Sequence, residues 1–226
     1  NIMISPIEYN PIENKVIIHE SLKLKIYFEN SNLELTEEKK NTTFSPYFEN
    51  IFRSSLSNYS SPTTSHRNNN FVNDKVSYII VADQIFSEEL EEFIDWKTRK
   101  GYDLIVGYTN EIGSSSSQIK SFIESQYNNP PEGMSTPSFA LLVGDTPQIP
   151  ASYLSGGHVS DLDYCDFTGD MMPELLCGRF SAQNPSHLQS QIEKTLEYEQ
   201  YSMPDPSFLS NVIMISGVDA SYAPTY

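Results

Sequence analysis

An α/β fold, with a mostly parallel sheet covered by helices on both faces and a small β segment in front, is what this sequence predicts. Three observations carry the prediction. From residue 76 onward, short apolar runs alternate with amphipathic stretches: VSYIIVA (Val76–Ala82), Leu104–Tyr108, FALLV (Phe139–Val143) and Val212–Ile215 are each separated by helical patterns. Runs this short and this continuously apolar suit strands buried on both faces, and strands alternating with helices give parallel sheets. Upstream, the hydrophobic period falls to two.

Taken in order, Ile2 and Ile4 alternate with polar neighbours, and Asn10-Pro11 with Glu13-Asn14 marks a turn. Leu22, Leu24 and Ile26 then alternate with Lys23 and Lys25, which suggests a hairpin with one wet face. Residues 1–53 are thus expected to be β-rich. Residues 54–75 (SSLSNYSSPTTSHRNNNFVNDK) are dominated by Ser, Thr and Asn and poor in apolar side chains, as a linker or exposed loop is.

The first helix is expected after Val76–Ala82. Ser87 would cap it, Glu88 and Glu89 occupy its first turn, Leu90, Phe93 and Ile94 form its stripe, and Gly101 follows Lys97, Arg99 and Lys100. Ile119, Phe122 and Ile123 line a second helix. Asn184-Pro185 opens a third, with Leu188, Ile192 and Leu196 on one face. Val212–Ile215 is apolar throughout and is expected as a central strand.

Composition narrows the partners. The 226 residues carry 30 acidic against 14 basic side chains, a formal charge of −16. Such a surface repels phosphate backbones, so nucleic acid is not an expected partner. No apolar run approaches the roughly 20 residues needed to cross a bilayer. Two cysteines, Cys165 and Cys177, make neither a disulfide framework nor a CxxC pattern. With Asn1 in place of a start methionine and no signal peptide, the chain reads as a fragment or processed form.

Open α/β sheets bind ligands outside the carboxyl ends of their strands. Asp83, Asp145 and Asp219 stand at such ends. Asp is also the residue that turns and caps prefer there, so position alone leaves both readings open. The acidic loop says more. No Lys or Arg occurs between Lys120 and Arg179, and Asp161–Glu174 (DLDYCDFTGDMMPE) holds five carboxylates in 14 residues. A hard divalent cation would relieve their repulsion, and a solvated acidic loop is the alternative. No EF-hand spacing is present. Of the histidines, His66 falls in the linker and His187 in a helix first turn, while His158 is loop-borne. No Cys–His dyad is expected within the chain.

The segments DWKTRKGYD (Asp95–Asp103), LLVGD (Leu141–Asp145), SDLDY (Ser160–Tyr164), GDMMPE (Gly169–Glu174), GRFSA (Gly178–Ala182) and IEKTLEYE (Ile192–Glu199) together resemble the catalytic domain of gingipain-type cysteine peptidases. ISPIEYNP (Ile4–Pro11) resembles the end of the propeptide in that family.

The resemblance implies a caspase-like α/β fold and a Cys–His dyad assisted by an acid. By residue match that acid is Asp219. It implies structural calcium held by Asp145, Asp170 and Glu174, with the Met172 carbonyl and a position that falls on Thr168. Some members have Asp at the Thr168 position, and Asp166 is the available substitute. It implies a secreted or cell-surface peptidase acting on protein or peptide substrates, with an activation site within 54–75, where Arg67 and Lys75 lie. The family's histidine and cysteine motifs do not occur in this chain, which is therefore expected to be inactive alone and completed by the remaining half of the catalytic domain. A non-catalytic calcium-binding module, or a sortase-like component of type IX secretion, is the alternative.

Overall fold

The computed structural model describes residues 5–21, 23–56, 59, 76–153 and 159–214. The chain divides into two compact units, with the boundary between Lys39 and Lys40. In the first, β1 (Ile7–Asn10) and β2 (Lys15–Ile18) pair antiparallel, Ile7 opposite Ile18. The turn forms where the sequence placed it. The Asn10 side chain accepts from the Ile12 and Glu13 N–H groups at 3.0 and 3.3 Å, and Asn14 takes a left-handed φ of 50°. The strand ends at Ile18. Leu24 and Ile26 lie outside any strand and are exposed, because alternation forms a strand only where a partner strand is present to pair with it.

Two helices occupy ground the sequence reading took as β-rich: α1 (Leu33–Thr42) and α2 (Pro46–Ser55). The helix formers Glu and Lys fill the first, and the second has Pro at its amino end, where the missing N–H costs nothing. Within the second unit, α2 is anchored through Tyr47. Its ring meets Phe139 edge-on at 4.8 Å and its hydroxyl bonds the Tyr102 hydroxyl at 2.8 Å. The Ser138 hydroxyl lies 2.6 Å from that of Ser45, just ahead of the helix.

The predicted alternation is observed. It runs β3 (Val76–Ala82), α3 (Ser87–Arg99), β4 (Tyr102–Tyr108), the short α4 (Thr109–Ile112), α5 (Ser116–Asn128), β5 (Pro137–Val143), the two-residue strands β6 (Ser152–Tyr153) and β7 (Val159–Ser160), β8 (Leu176–Phe180) and α6 (Pro185–Glu199). Four strands form one wholly parallel sheet in the order β4-β3-β5-β8.

Alternate residues of the central strand serve opposite faces. Ile79 and Val81 pack with Ile119 and Ile123 of α5, and Ile80 and Ala82 pack with Leu90 and Phe93 of α3 and Leu188 and Ile192 of α6. All ten are essentially removed from solvent. At roughly 25 cal/mol per Å² of apolar surface, each larger side chain contributes about 1.5–3 kcal/mol.

The helix ends follow local chemistry. Asn184 caps α6 by accepting from the His187 N–H, and Gly101, at a φ of 92°, ends α3 as predicted. Ser87 is not a cap but the first residue of α3. A 3₁₀ turn, Gln84–Phe86, precedes it and is capped by Asp83. Ser115 and Gln118 form a reciprocal capping box on α5.

The strand expected at Val212–Ile215 is not there. Val212, Ile213 and Met214 are irregular and 85–91% exposed, and Ile215 lies outside the described residues. An apolar run states a preference for burial, but a strand also needs an edge to pair with, and among the described residues no strand pairs with it.

Where α3 and α6 end, Glu199 collects three donors. The Lys97 Nζ lies 2.7 Å from its Oε1, and the Trp96 Nε1 and Lys100 Nζ lie 2.9 and 3.0 Å from its Oε2. Lys97 is buried, with its ammonium 5.1–5.7 Å from the ring centres of Phe93, Tyr102 and Tyr78. Burial would raise the Glu199 pKa, but the hydrogen bonds from Lys97, Lys100 and Trp96 outweigh it and hold the carboxyl at about 2. A depressed carboxyl stabilises the fold above the unfolded value near 4.5 and loses that stabilisation as pH falls toward 2. Glu199→Gln is therefore expected to lower stability at pH 7 by up to about 3 kcal/mol, with the gap to wild type narrowing steadily below pH 4.5. Urea unfolding across a pH series measures it, and a gap that stays constant down to pH 3 contradicts the assignment.

Candidate functional site

The strand order places a topological switch between β3 and β5, whose carboxyl ends lie side by side. The backbone ladder continues past the strands here. The Asp83 N–H donates to the Val143 carbonyl at 3.3 Å, Gly144 to Phe180 at 2.9 Å, and Asp145 to Ala182 at 2.9 Å. Gly144 adopts a φ of 137°, and a Cβ there would stand 2.8 Å from the Gln148 Cβ, so the LLVGD turn requires glycine.

The two acids at this edge are occupied. Asp83 accepts from the Ile85 N–H at 3.0 Å and the Thr109 hydroxyl at 3.4 Å, which is the capping role. Asp145 accepts from Gln183 Nε2 at 2.7 Å, the Thr146 N–H at 2.8 Å and the Ser181 hydroxyl at 3.2 Å. Those bonds, Gln183 first, hold its carboxyl below the usual range. Asp219 and His158 lie outside the described residues.

Arg179, on β8, joins the sheet to the acidic loop. Its Nε and Nη2 make a fork onto the two carboxylate oxygens of Asp161 at 2.8 and 2.7 Å. Its Nη1 donates to the carbonyls of Gly144 at 2.7 Å and Ile149 at 2.9 Å. Lys120 donates to the Asp166 backbone carbonyl at 2.9 Å. The two cations that bound the cation-free interval in the sequence thus both fold back onto it.

Beyond Asp161 the loop turns on its own carboxylates. Asp166, buried, accepts from the Gly169 and Met171 N–H groups at 2.7 and 3.0 Å, and Asp170 accepts from the Met172 N–H at 2.9 Å. Glu174 accepts from the Phe167 N–H at 2.6 Å and the Thr168 hydroxyl at 3.0 Å. The outcome is that Asp166, Asp170 and Glu174 each bring an oxygen within 4.8 Å of the others. Oxygens bound to one Ca²⁺ at about 2.3–2.6 Å are at most about 5 Å apart, so this trio fits a single coordination sphere. Asp170 and Glu174 are two of the three carboxylates that the resemblance implies as ligands, and the structure brings them together. Asp166, considered there only as a substitute for Thr168, is the most buried of the three. Asp145 is not in the group.

The signals that sequence reasoning passed over were the two ends of the cation-free interval. Arg179 and Lys120 were read as boundaries of a composition bias rather than as partners of the loop between them.

The buried cysteine is not set as a nucleophile. Cys165 is fully buried, and contact with the Cys177 thiol together with burial pushes its pKa far up, the reverse of thiolate activation. The imidazole of His19 is paired with Glu8, and His187 sits in the first turn of α6.

Residues 72–225 match the model for peptidase family C25. Lys-gingipain W83 of Porphyromonas gingivalis is 33% identical over 222 residues, 97% of this chain and 13% of that protein. Gingipain R2 of the same organism is 27% identical over 226 residues, 95% of this chain and 29% of that protein. A solved protease structure superposes with a TM-score of 0.60 at 38% identity, over 67% of this chain and 34% of that one. The chain therefore spans 13–29% of the length of these curated relatives.

Because Arg179 and Asp161 are mostly buried, removing one leaves the other charged and short of partners. Arg179→Met is expected to destabilise the fold by about 3 kcal/mol, and Arg179→Lys by at least half as much, since an ammonium cannot serve both the fork and two carbonyls. Chemical denaturation measures both. An Arg179→Met variant within about 0.5 kcal/mol of wild type contradicts the role given to this residue.

Proposed function

The chain belongs to peptidase family C25, the gingipain-type cysteine peptidases, and on that premise we propose that it forms the amino-terminal part of the catalytic unit of a secreted or cell-surface, calcium-stabilised endopeptidase. The match over residues 72–225 carries this reading. Protein or peptide is the substrate, and the remaining half of the catalytic domain brings the histidine and cysteine. Cys165 is buried with its thiol pushed toward the protonated form, which supports a chain that is inactive alone. Residues 1–53 are the end of a propeptide and 54–75 the activation segment. No helix among the described residues is long and apolar enough to cross a membrane.

The division of labour follows from the sheet. The apolar faces fix the strands, and the carboxyl edge carries the acids. Asp219 holds the imidazole of the partner histidine by accepting its ring N–H, fixing tautomer and orientation so that the other nitrogen faces the thiol. Asp166, Asp170 and Glu174 hold the ion, with Thr168 and the Met172 carbonyl beside them. Asp145, bonded to Gln183 here, is the further ligand that the resemblance implies. When bound, calcium supplies positive charge that cancels carboxylate repulsion and orders the loop.

Two measurements test the reading in the full-length protein. Chelation is expected to lower the melting temperature by about 5–10 °C, and Asp166→Asn is expected to remove most of that difference. A melting temperature indifferent to chelator defeats the calcium assignment. Asp219→Asn is expected to cut turnover by about 10-fold to 10⁴-fold, toward the lower end because a thiolate depends less on the third member than a serine does. Unchanged turnover with a lower melting temperature would mean that Asp219 only caps a turn.

A further inference from the structure

Three aromatic rings meet at the amino-terminal part of three neighbouring strands. Tyr78 of β3, Tyr102 of β4 and Phe139 of β5 have ring centres 5.6–6.1 Å apart. The Lys97 ammonium, held by Glu199, lies 5.6–5.7 Å from the centres of both tyrosine rings. The cluster is thus fastened to α3 and α6 as well as to the sheet. A fourth ring comes from α2. Tyr47 meets Phe139 edge-on at 4.8 Å, and its hydroxyl lies 2.8 Å from that of Tyr102. Two residues earlier, Ser45 is 6% exposed and accepts a hydrogen bond from the Ser138 hydroxyl at 2.6 Å.

The two anchors stand on either side of Pro46, the first residue of the helix. Proline fixes its own φ and holds the residue before it extended, and Ser45 is extended, with φ −132° and ψ 131°. Little freedom is therefore lost when Ser45 and Tyr47 dock together. The rest of the helix adds less, since Ile51 and Phe52 are about half exposed. The contact also falls away from the carboxyl edge of the sheet. Tyr102 is the first residue of β4, and Ser138 and Phe139 are the second and third of β5. At about 3.3 Å per residue, the carboxyl ends of those strands are roughly 13–20 Å distant.

We propose that Ser45–Ser55 is a resident part of the folded catalytic unit, seated in this aromatic socket, and that it stays there without a covalent link once the chain is cut between α2 and β3. The proposal rests on the reading of 54–75 as the activation segment, and it narrows what activation removes. A cut there breaks the connection from α2 to β3 but none of the bonds made by Ser45 and Tyr47. What it takes away is the effective concentration supplied by the tether, so retention afterwards rests on the docking itself. A propeptide shed from this protein then separates ahead of Ser45 and leaves a short second chain in the mature form. The boundary between the two compact units, Lys39–Lys40, lies ahead of the anchors as this division requires.

The test uses the full-length protein with the recognition sequence of a site-specific protease inserted after Arg67. Because this cut is made from outside, the outcome does not depend on the activation reading, whose own test is the amino terminus of the naturally matured chain. After complete cutting, native gel filtration at micromolar concentration separates bound from released amino-terminal fragment, and mass spectrometry identifies it. The wild-type fragment is expected to co-elute with the remainder. Tyr47→Phe keeps the ring and loses the hydroxyl bond, and is expected to release the fragment about 3–10-fold faster. Tyr47→Ala loses both and is expected to release it at least about 30-fold faster. A wild-type fragment that elutes alone overturns the proposal. Release at the wild-type rate in every Tyr47 variant that folds overturns it as well, because the fragment is then held somewhere other than the socket.

Discussion

The Arg179 guanidinium is bonded to three points of the chain that lie far from it in sequence. From β8 it reaches the Asp161 carboxylate through a two-pronged contact, and the carbonyls of Gly144 and Ile149 through its third nitrogen. Gly144 belongs to the turn that leaves β5, and Asp161 opens the acidic loop. A planar, permanently charged fork with five donors is the side chain that can serve all of these at once. Arg179 thus ties the carboxyl edge of the sheet to the start of the acidic loop, where the Tyr164 hydroxyl also donates to the Pro150 carbonyl.

A second charge cluster does comparable work at the other end of the sheet. Glu199 gathers Trp96, Lys97 and Lys100 where α3 and α6 finish, next to the start of β4. Five of the six segments that resemble the gingipain catalytic domain are thereby explained by their contacts. DWKTRKGYD meets IEKTLEYE through Glu199, and SDLDY and LLVGD meet GRFSA through Arg179. These motifs are largely the fastening of the sheet.

The parallel sheet, its helices and most helix ends were legible because their causes are local: apolar runs, an Asn-Pro helix start, a glycine past a basic last turn. What was not legible depends on contacts distant in sequence. Val212–Met214 has the composition of a core strand and lies exposed, since composition does not supply an edge to pair with. The helices at 33–42 and 46–55 were hidden by extending a period-two reading beyond the hairpin that justified it. In the site, crowding pointed to the acidic loop as a whole, and Asp170 and Glu174 were singled out only by the family resemblance. The importance of Asp166 was not legible, because it comes from burial and from the two N–H groups, of Gly169 and Met171, that orient it.

The central claim is that this sheet and its acidic loop build a metal-supported edge for a peptidase site, and a crystal structure of the full-length protein grown with calcium tests it most directly. The account predicts anomalous density between Asp166, Asp170 and Glu174, with oxygen distances of about 2.3–2.6 Å and Arg179 still joined to Asp161. Density absent from that position, with the three carboxylates bonded only to the loop's own N–H groups, would contradict it.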